Sequence, residues 1–293
     1  LLIPCYNEES SLPALHAALC EVMDSQVQYQ WEVLLIDDGS RDQSLSVMRQ
    51  LRRKDPRVAF ISLSRNFGKE NAMLAGFDHA SGDCVIILDA DLQHPPALIP
   101  DMLHLWEEGA QDVYARRDIA RESWLRRRLS RLYYSLLNRS TRFDVLENVG
   151  DFRLLDRRCI LALRQLRESQ RYTKGMYVWI GFKKQEISYH EQKRTAGQSS
   201  FNFRRLADLA IDGLTSYTTA PLRLSTLIGL LSALLAILYM VYVFIKTLVV
   251  GEAVQGFPTI VILILFLGGV QLISLGIIGE YLGKVFIETK RRP

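Results

Sequence analysis

Asp89-Ala90-Asp91, with Gln93 two residues further on, sets two carboxylates and an amide at a close, regular spacing. Such a group can gather hard oxygen ligands around Mg²⁺ or Mn²⁺ and bridge a diphosphate through the ion. A cation held there stabilises charge building on a departing diphosphate. The same pair reads equally well as an acidic strand end, a turn or a helix cap. No G-x-G-x-x-G follows the first apolar run and no G-x-x-x-x-G-K-[ST] occurs, so neither glycine-loop phosphate cradle is present.

The elements that must position these groups follow from periodicity. Strand-like runs (LLIPCY, WEVLLIDDGS, VAFISLS, DCVIILDAD) alternate with helical patterns over 11–25, 42–53 and 69–80. That alternation predicts βαβ units and a mostly parallel sheet. Ligands of open α/β sheets bind beyond the carboxyl ends of the strands. The polar clusters Tyr6-Asn7-Glu8, Asp37-Asp38-Gly39-Ser40 and Asp89-Ala90-Asp91 all fall at such ends.

With 48% hydrophobic residues, 23% charged residues and a net charge of +4, the chain is neither disordered nor collagen-like. Its four cysteines form no CxxC pair and no Cys/His cluster, which argues against a zinc site or a disulfide framework and fits a reducing compartment. Two uncharged runs, Leu224–Ile245 and Phe257–Ile278, are long enough to cross about 30 Å of hydrocarbon. Arg204, Arg205 and Arg223 precede the first run; Lys284, Lys290, Arg291 and Arg292 follow the second; only Lys246 marks the short loop between. The positive-inside bias therefore places both flanks in the cytoplasm.

The expected organisation is a cytoplasmic domain over 1–200 and a juxtamembrane amphipathic helix over 201–223. Two transmembrane helices follow within 224–283, at about 224–245 and 257–279, and a cytoplasmic basic tail over 284–293. Gly268, Gly269, Gly276, Gly279 and Gly283 give the second span small-residue faces, suited to hairpin packing or to oligomerisation. Within the front domain, Leu129, Leu132, Tyr133, Leu136 and Leu137 recur at helical spacing among Arg126, Arg127, Arg128, Arg131, Arg139 and Arg142. This basic amphipathic helix suits an anionic leaflet or a lipid-linked phosphate lying in it, or else is a solvated charged face over a core stripe. With no nucleic-acid motif in the chain, a nucleic-acid partner is not expected.

The strings IPCYNEE (3–9), LLIDDGSRD (34–42), SRNFGKENAMLAGFDHASGD (64–83), LDADLQHPP (88–96), GDFRLLDRR (150–158) and GEYLGK (279–284), with the apolar hairpin, resemble the polyprenyl-phosphate glycosyltransferases of inverting glycosyltransferase family 2. Within them GDFRLLDRR looks most like the bacterial bactoprenol (undecaprenyl-phosphate) glucosyltransferases. The resemblance implies a GT-A (Rossmann-like) α/β fold and transfer of a sugar from a nucleotide donor to a polyprenyl phosphate. It also implies the bacterial inner membrane, with the catalytic domain cytoplasmic and the chain multi-pass, and a homo-oligomer such as a tetramer.

Carried onto matching positions, the resemblance puts Pro4, Tyr6, Glu8 and Asp37 around the nucleobase and ribose. Asp89, Ala90, Asp91 and Gln93 fall at the metal and diphosphate, and Arg194 at the donor phosphates. Glu8 has a rival role as a helix cap, and Asp37 as part of a turn. Ser200 stands where the family commonly has Lys. Arg116, Arg126 and Ser130 match residues that grip the acceptor phosphate, and arginine's fork suits phosphate oxygens. Asp151 matches a base or acceptor-orienting carboxylate, and is expected with Asp91 to be catalytic; its rival role is a loop carboxylate paired with Arg153 or another member of the basic cluster.

An ionised lipid phosphate needs positioning more than deprotonation, and a single displacement inverts the anomeric centre. The expected reaction joins a hexose, glucose from UDP-glucose above all, to undecaprenyl phosphate. Alternatives are UDP-galactose, UDP-GlcNAc, GDP-mannose or UDP-aminoarabinose as donor, a processive polysaccharide synthase, and a non-catalytic lipid-binding membrane scaffold.

Overall fold

The computed structural model describes residues 1–117, 149–169, 171–189, isolated positions between 222 and 249, and 256–290. Two compact units divide the chain, Leu1–Ala207 and Asp208–Pro293.

In the first unit the alternation read from the sequence becomes β1 (Leu2–Cys5), α1 (Leu12–Ser25), β2 (Val33–Asp37), α2 (Ser44–Lys54), β3 (Val58–Ser62), α3 (Lys69–His79) and β4 (Cys84–Ile87). After a short 3₁₀ turn come α4 (Ile99–Glu107), β5 (Asp112–Arg117), β6 (Val149–Asp156), α5 (Arg157–Gln165), α6 (Thr173–Trp179) and β7 (Lys184–Tyr189). The strands form one sheet in the order β3-β2-β1-β4-β6-β5-β7. β1, β2, β3 and β4 run parallel, as do β5 and β7, whereas β6 is antiparallel to both its neighbours.

The central strands β1 and β2 are buried along their length, as a sheet covered on both faces requires. The main core joins Ile3, Leu35 and Ile86 from the sheet to Leu15, Leu19 and Met23 of α1 and to Met102 of α4. All four cysteines are free thiols.

Two details open the carboxyl edge of this sheet. The ladder between β1 and β4 holds a single register pair, Leu2 with Ile87, and ends with the Leu88 amide donating to the Leu2 carbonyl. The next donor on β1 would be Pro4, which has no N–H, so the two chains part at that point. On the other side, β4 and β6 pair Ile87 with Arg153, and continuing that antiparallel register sets Asp89 across from Asp151. Because β6 runs the opposite way, its first residues reach the edge where β1, β2 and β4 end.

In the second unit the described helix is α7 (Phe257–Thr289). Within it Phe266–Thr289 is long and apolar enough to cross a membrane. Its 33 residues extend about 50 Å at the usual helical rise. Beyond the expected span end near 279 the helix runs on through Glu280, Lys284 and Glu288 to Thr289. Hydropathy stops at the first charges, but backbone hydrogen bonding needs only helix-compatible residues, and no proline interrupts 280–289. The expected helix over 201–223 lies outside the described residues, as does most of the expected span 224–245.

Candidate functional site

The β1–α1 and β2–α2 loops are stitched together over the edge. The Asn7 amide donates to Ser40 Oγ at 2.9 Å, the Glu8 amide to Ser44 Oγ at 2.7 Å, and the Arg41 amide to Asn7 Oδ1 at 2.8 Å. Asn7 takes a left-handed backbone (φ 57°), which Asn tolerates better than most residues.

Asp37 is buried and both its oxygens are engaged, Oδ1 by the Ser40 amide and Oδ2 by Ser62 Oγ. Its neighbour Asp38 accepts the amides of Phe67 and Gly68 at 2.7 and 2.9 Å. Gly39, at φ +67°, lies so close to this loop that a Cβ would stand 2.4 Å from the Arg65 carbonyl carbon. The Asp37-Asp38-Gly39-Ser40 turn therefore clamps the Arg65–Gly68 loop, and that loop delivers Lys69 to the first turn of α3.

Lys69 organises the centre of the edge. Its Nζ lies 2.6 Å from Asp89 Oδ1 and 2.8 Å from Asp151 Oδ2. Desolvation works to lower the lysine pKa, but Asp151 and Asp89 more than offset it and hold it above the ordinary value. Burial likewise pushes the Asp151 carboxyl up, and Lys69, with Lys174 and Arg153 adding to it, brings it below the usual range. Asp151 Oδ1 is buried and has no hydrogen-bond partner among the described residues. The expected rival pairing of Asp151 with Arg153 is not found: Asp151 lies in β6, not in a loop. Arg153 instead donates from Nη1 to both oxygens of the buried Asp112, at 3.2 and 3.0 Å, and lies over the Tyr177 ring.

Beside this pair, Asp91 is 7% exposed and accepts the Gln93 amide at 3.1 Å. Leu92 between them has φ 61°, a backbone that a γ-branched apolar residue seldom adopts and that aims Asp91 and Gln93 off the strand direction. The Asp89 amide donates to His94 Nδ1 at 3.1 Å. That bond makes Nδ1 an acceptor, and burial lowers the imidazole pKa, so the ring is neutral. His94 stacks on Phe152 at 4.8 Å, tying the DxD loop to β6.

The remaining expected residues divide. Pro4 is buried in β1, and Tyr6 is 40% exposed at the edge. Glu8 serves the start of α1: its carbonyl accepts the Ser11 and Leu12 amides and its carboxylate accepts Ser11 Oγ. Ala90 is buried. Arg116 pairs with Glu186 at 3.1 Å and is 42% exposed, next to a break in the β5–β6 register. Arg126, Ser130 and Arg194 lie outside the described residues.

Sequence reasoning assigned no role to Lys69, Asp38 or His94. The available signal was Lys69 itself, a cation at a helix N-terminus where the dipole disfavours it, directly after the permissive Gly68.

A divalent ion fits these residues. The donors are all oxygens, from Asp89, Asp91 and Gln93, which suits Mg²⁺ or Mn²⁺. A cation, the Lys69 ammonium, already sits between two carboxylates there. A second cluster, His16, Cys20 and Asp55, is close enough together to hold an ion, but there the space is taken. The Arg57 guanidinium bonds both Asp55 oxygens, touches Cys20 Sγ at 3.5 Å and pairs with Asp24. Burial raises the Cys20 pKa, keeping the thiol protonated and a poor ligand.

Residues 1–163 match the family model for glycosyl transferase family 2. The chain belongs to that family. Its mostly parallel mixed sheet is the family's GT-A fold, and the protein is a glycosyltransferase; divalent metal use is typical of GT-A family 2 enzymes. Residues 220–285 match a second model, the GtrB C-terminal hairpin, which associates the family 2 domain with a membrane. Similarity extends over the full chain. The SfII prophage-derived bactoprenol glucosyl transferase of Shigella flexneri is 42% identical over 294 residues, 100% of this chain and 95% of its own length. The bactoprenol glucosyl transferase of Shigella phage SfV is 42% identical over 294 residues, covering 100% of this chain and 95% of its own. The prophage bactoprenol glucosyl transferase homolog of Escherichia coli (strain K12) is 40% identical, covering 100% and 96%.

Proposed function

We propose that this glycosyltransferase moves one hexose, glucose from UDP-glucose, to undecaprenyl phosphate at the cytoplasmic face of a bacterial inner membrane, with inversion at the anomeric carbon. The observation that supports this best is the meeting of Asp89 and Asp151 on one ammonium. A donor-side pair of carboxylates and a separate carboxylate from the antiparallel strand then face one reaction space. The names of the full-length relatives supply the lipid acceptor and the glucose.

In this reading Asp89, Asp91 and Gln93 hold Mg²⁺ or Mn²⁺, which stabilises charge on the leaving diphosphate. Tyr6, at the parted ends of β1 and β4, offers a ring to the nucleobase, with Pro4, Glu8 and Asp37 shaping the wall behind it. Asp151 orients the acceptor side through the Lys69 ammonium it holds, a cation that an ionised phosphate can meet. An oxygen of that ionised phosphate attacks the anomeric carbon as the bond to the nucleoside diphosphate breaks, the electron pair leaving with UDP. Arg116 exchanges Glu186 for acceptor phosphate, a small cost because an exposed ion pair contributes only about 0–1 kcal/mol. Arg126 and Ser130 complete the acceptor grip, and Arg194 meets the donor phosphates. A two-span hairpin anchors the enzyme, and copies assemble as a homo-oligomer.

Offering purified protein one donor at a time, among UDP-glucose, UDP-galactose, UDP-GlcNAc, GDP-mannose and UDP-aminoarabinose, tests the donor assignment. A glycolipid with UDP-glucose and none with the others is expected; efficient transfer from another donor alone overturns it.

A further inference from the structure

We propose that Lys69 is an internal counter-cation, which holds Asp89 and Asp151 together until a divalent ion binds and then yields Asp89 to that ion while staying on Asp151. The inference rests on the reading of Asp89 and Asp91 as metal ligands. Lys69 contacts the donor-side and acceptor-side carboxylates with one atom, at 2.6 and 2.8 Å. No other described residue makes an ion pair with both. Without it, Asp89 and Asp151 would face each other with like charges unscreened.

The chain works to put this cation there. A lysine in the first turn of α3 opposes the helix dipole, so the position is not one that helix formation favours. Asp38 grips the amides of Phe67 and Gly68, and Gly39 leaves room for the loop, so the residue just before Lys69 is fixed from two sides. Asp89 is 32% exposed and Asp151 11%. The exposed end of the bridge is therefore the one a solution ion reaches first, and the sheltered end is the one that keeps the lysine. An ammonium and a divalent ion both draw on the charge of the Asp89 carboxylate, so they compete for it. Lys69 is thus a positioning residue whose partner changes with the metal.

Competition is measured by Mn²⁺ binding to the full-length protein in detergent, followed by electron paramagnetic resonance of the free ion without nucleotide. Lys69→Met should bind Mn²⁺ about tenfold tighter than the parent, equivalent to about 1.4 kcal/mol. Lys69→Arg should stay near the parent. Lys174→Met, which removes a nearby charge that makes no ion pair with Asp89, should change affinity less than about twofold, a shift under about 0.5 kcal/mol. Unchanged or weaker binding by Lys69→Met overturns the inference while leaving the metal reading intact, and so does equal tightening by Lys174→Met. Absence of Mn²⁺ binding in both parent and Lys69→Met overturns the two together. Asp151→Asn keeps Lys69 but leaves it Asp89 as its one ion-pair partner, so it should weaken Mn²⁺ binding several-fold; unchanged affinity there refutes the proposal even if Lys69→Met fails to fold.

Discussion

Asp38→Asn should loosen the loop that delivers Lys69. The native carboxylate is 3% exposed and accepts two backbone amides, at 2.7 and 2.9 Å. Asparagine keeps one acceptor oxygen, while its NH₂ group confronts the other N–H, so one charge-assisted bond is lost and a donor is left facing a donor. A hydrogen bond to a charged group contributes about 1.5–3 kcal/mol. Burial raises the Asp38 pKa, so a neutral side chain is easier to bury there, and the net loss should fall near the lower end, about 1.5–2 kcal/mol. At about 2–4 °C per kcal/mol for a domain of this size, the melting temperature should drop by about 3–8 °C. The rate should fall further than stability implies, by about 10–100-fold, because a displacement near 1 Å of an organising group can cost that much. Thermal unfolding in detergent and initial rates of nucleotide release measure the two effects. An unchanged melting temperature would refute the clamp, and a lowered one with full activity would refute its role in placing Lys69.

Arg153→Met should destabilise the fold by about 3–5 kcal/mol, since it strands the buried Asp112 carboxylate; adding Asp112→Leu should recover part of the loss, both read by urea unfolding. Gly39→Ala should lower the melting temperature more than Gly109→Ala does: both have positive φ, but only at Gly39 does the new Cβ meet backbone, at 2.4 Å. Burial and the charge of Asp151 push the Glu70 carboxyl up to about 7. A carboxyl raised on folding lends stability that is present below its unfolded pKa and lost as pH rises through the folded one. Glu70→Gln, which still accepts the Thr173 amide, should therefore gain melting temperature over the parent from pH 5 to pH 8; parallel profiles would contradict this.

Much of this architecture is legible along the chain. The first four strands and three helices follow alternation of period, since β-branched and aliphatic runs bounded by polar turns leave few alternatives. The Asp89/Asp91 pair was visible as chemistry because both residues lie in one short string. Lys69 was not, because its meaning depends on β4 and β6 being antiparallel, a pairing between segments more than sixty residues apart that no local pattern encodes. The same non-local register sets Arg153 against Tyr114 of β5, within reach of the buried Asp112, and its guanidinium is held there instead of on Asp151. Glu8 and Asp37 show the converse: Glu8 is engaged in a helix start and Asp37 in a turn and by Ser62 of β3, so residue type alone could not separate scaffold from ligand contact. α7 continues to Thr289, past the end of the uncharged run, because hydropathy reports the membrane and not the hydrogen-bonded backbone.

The central claim is tested most directly by incubating the full-length protein with undecaprenyl phosphate, UDP-glucose and Mn²⁺, and measuring UDP released against the mass of the lipid product. The account expects a lipid heavier by a single hexose, formed one for one with UDP, and abolished by EDTA or by Asp91→Asn in protein that remains folded. UDP release without a hexosylated lipid, or product formation untouched by Asp91→Asn, would contradict it.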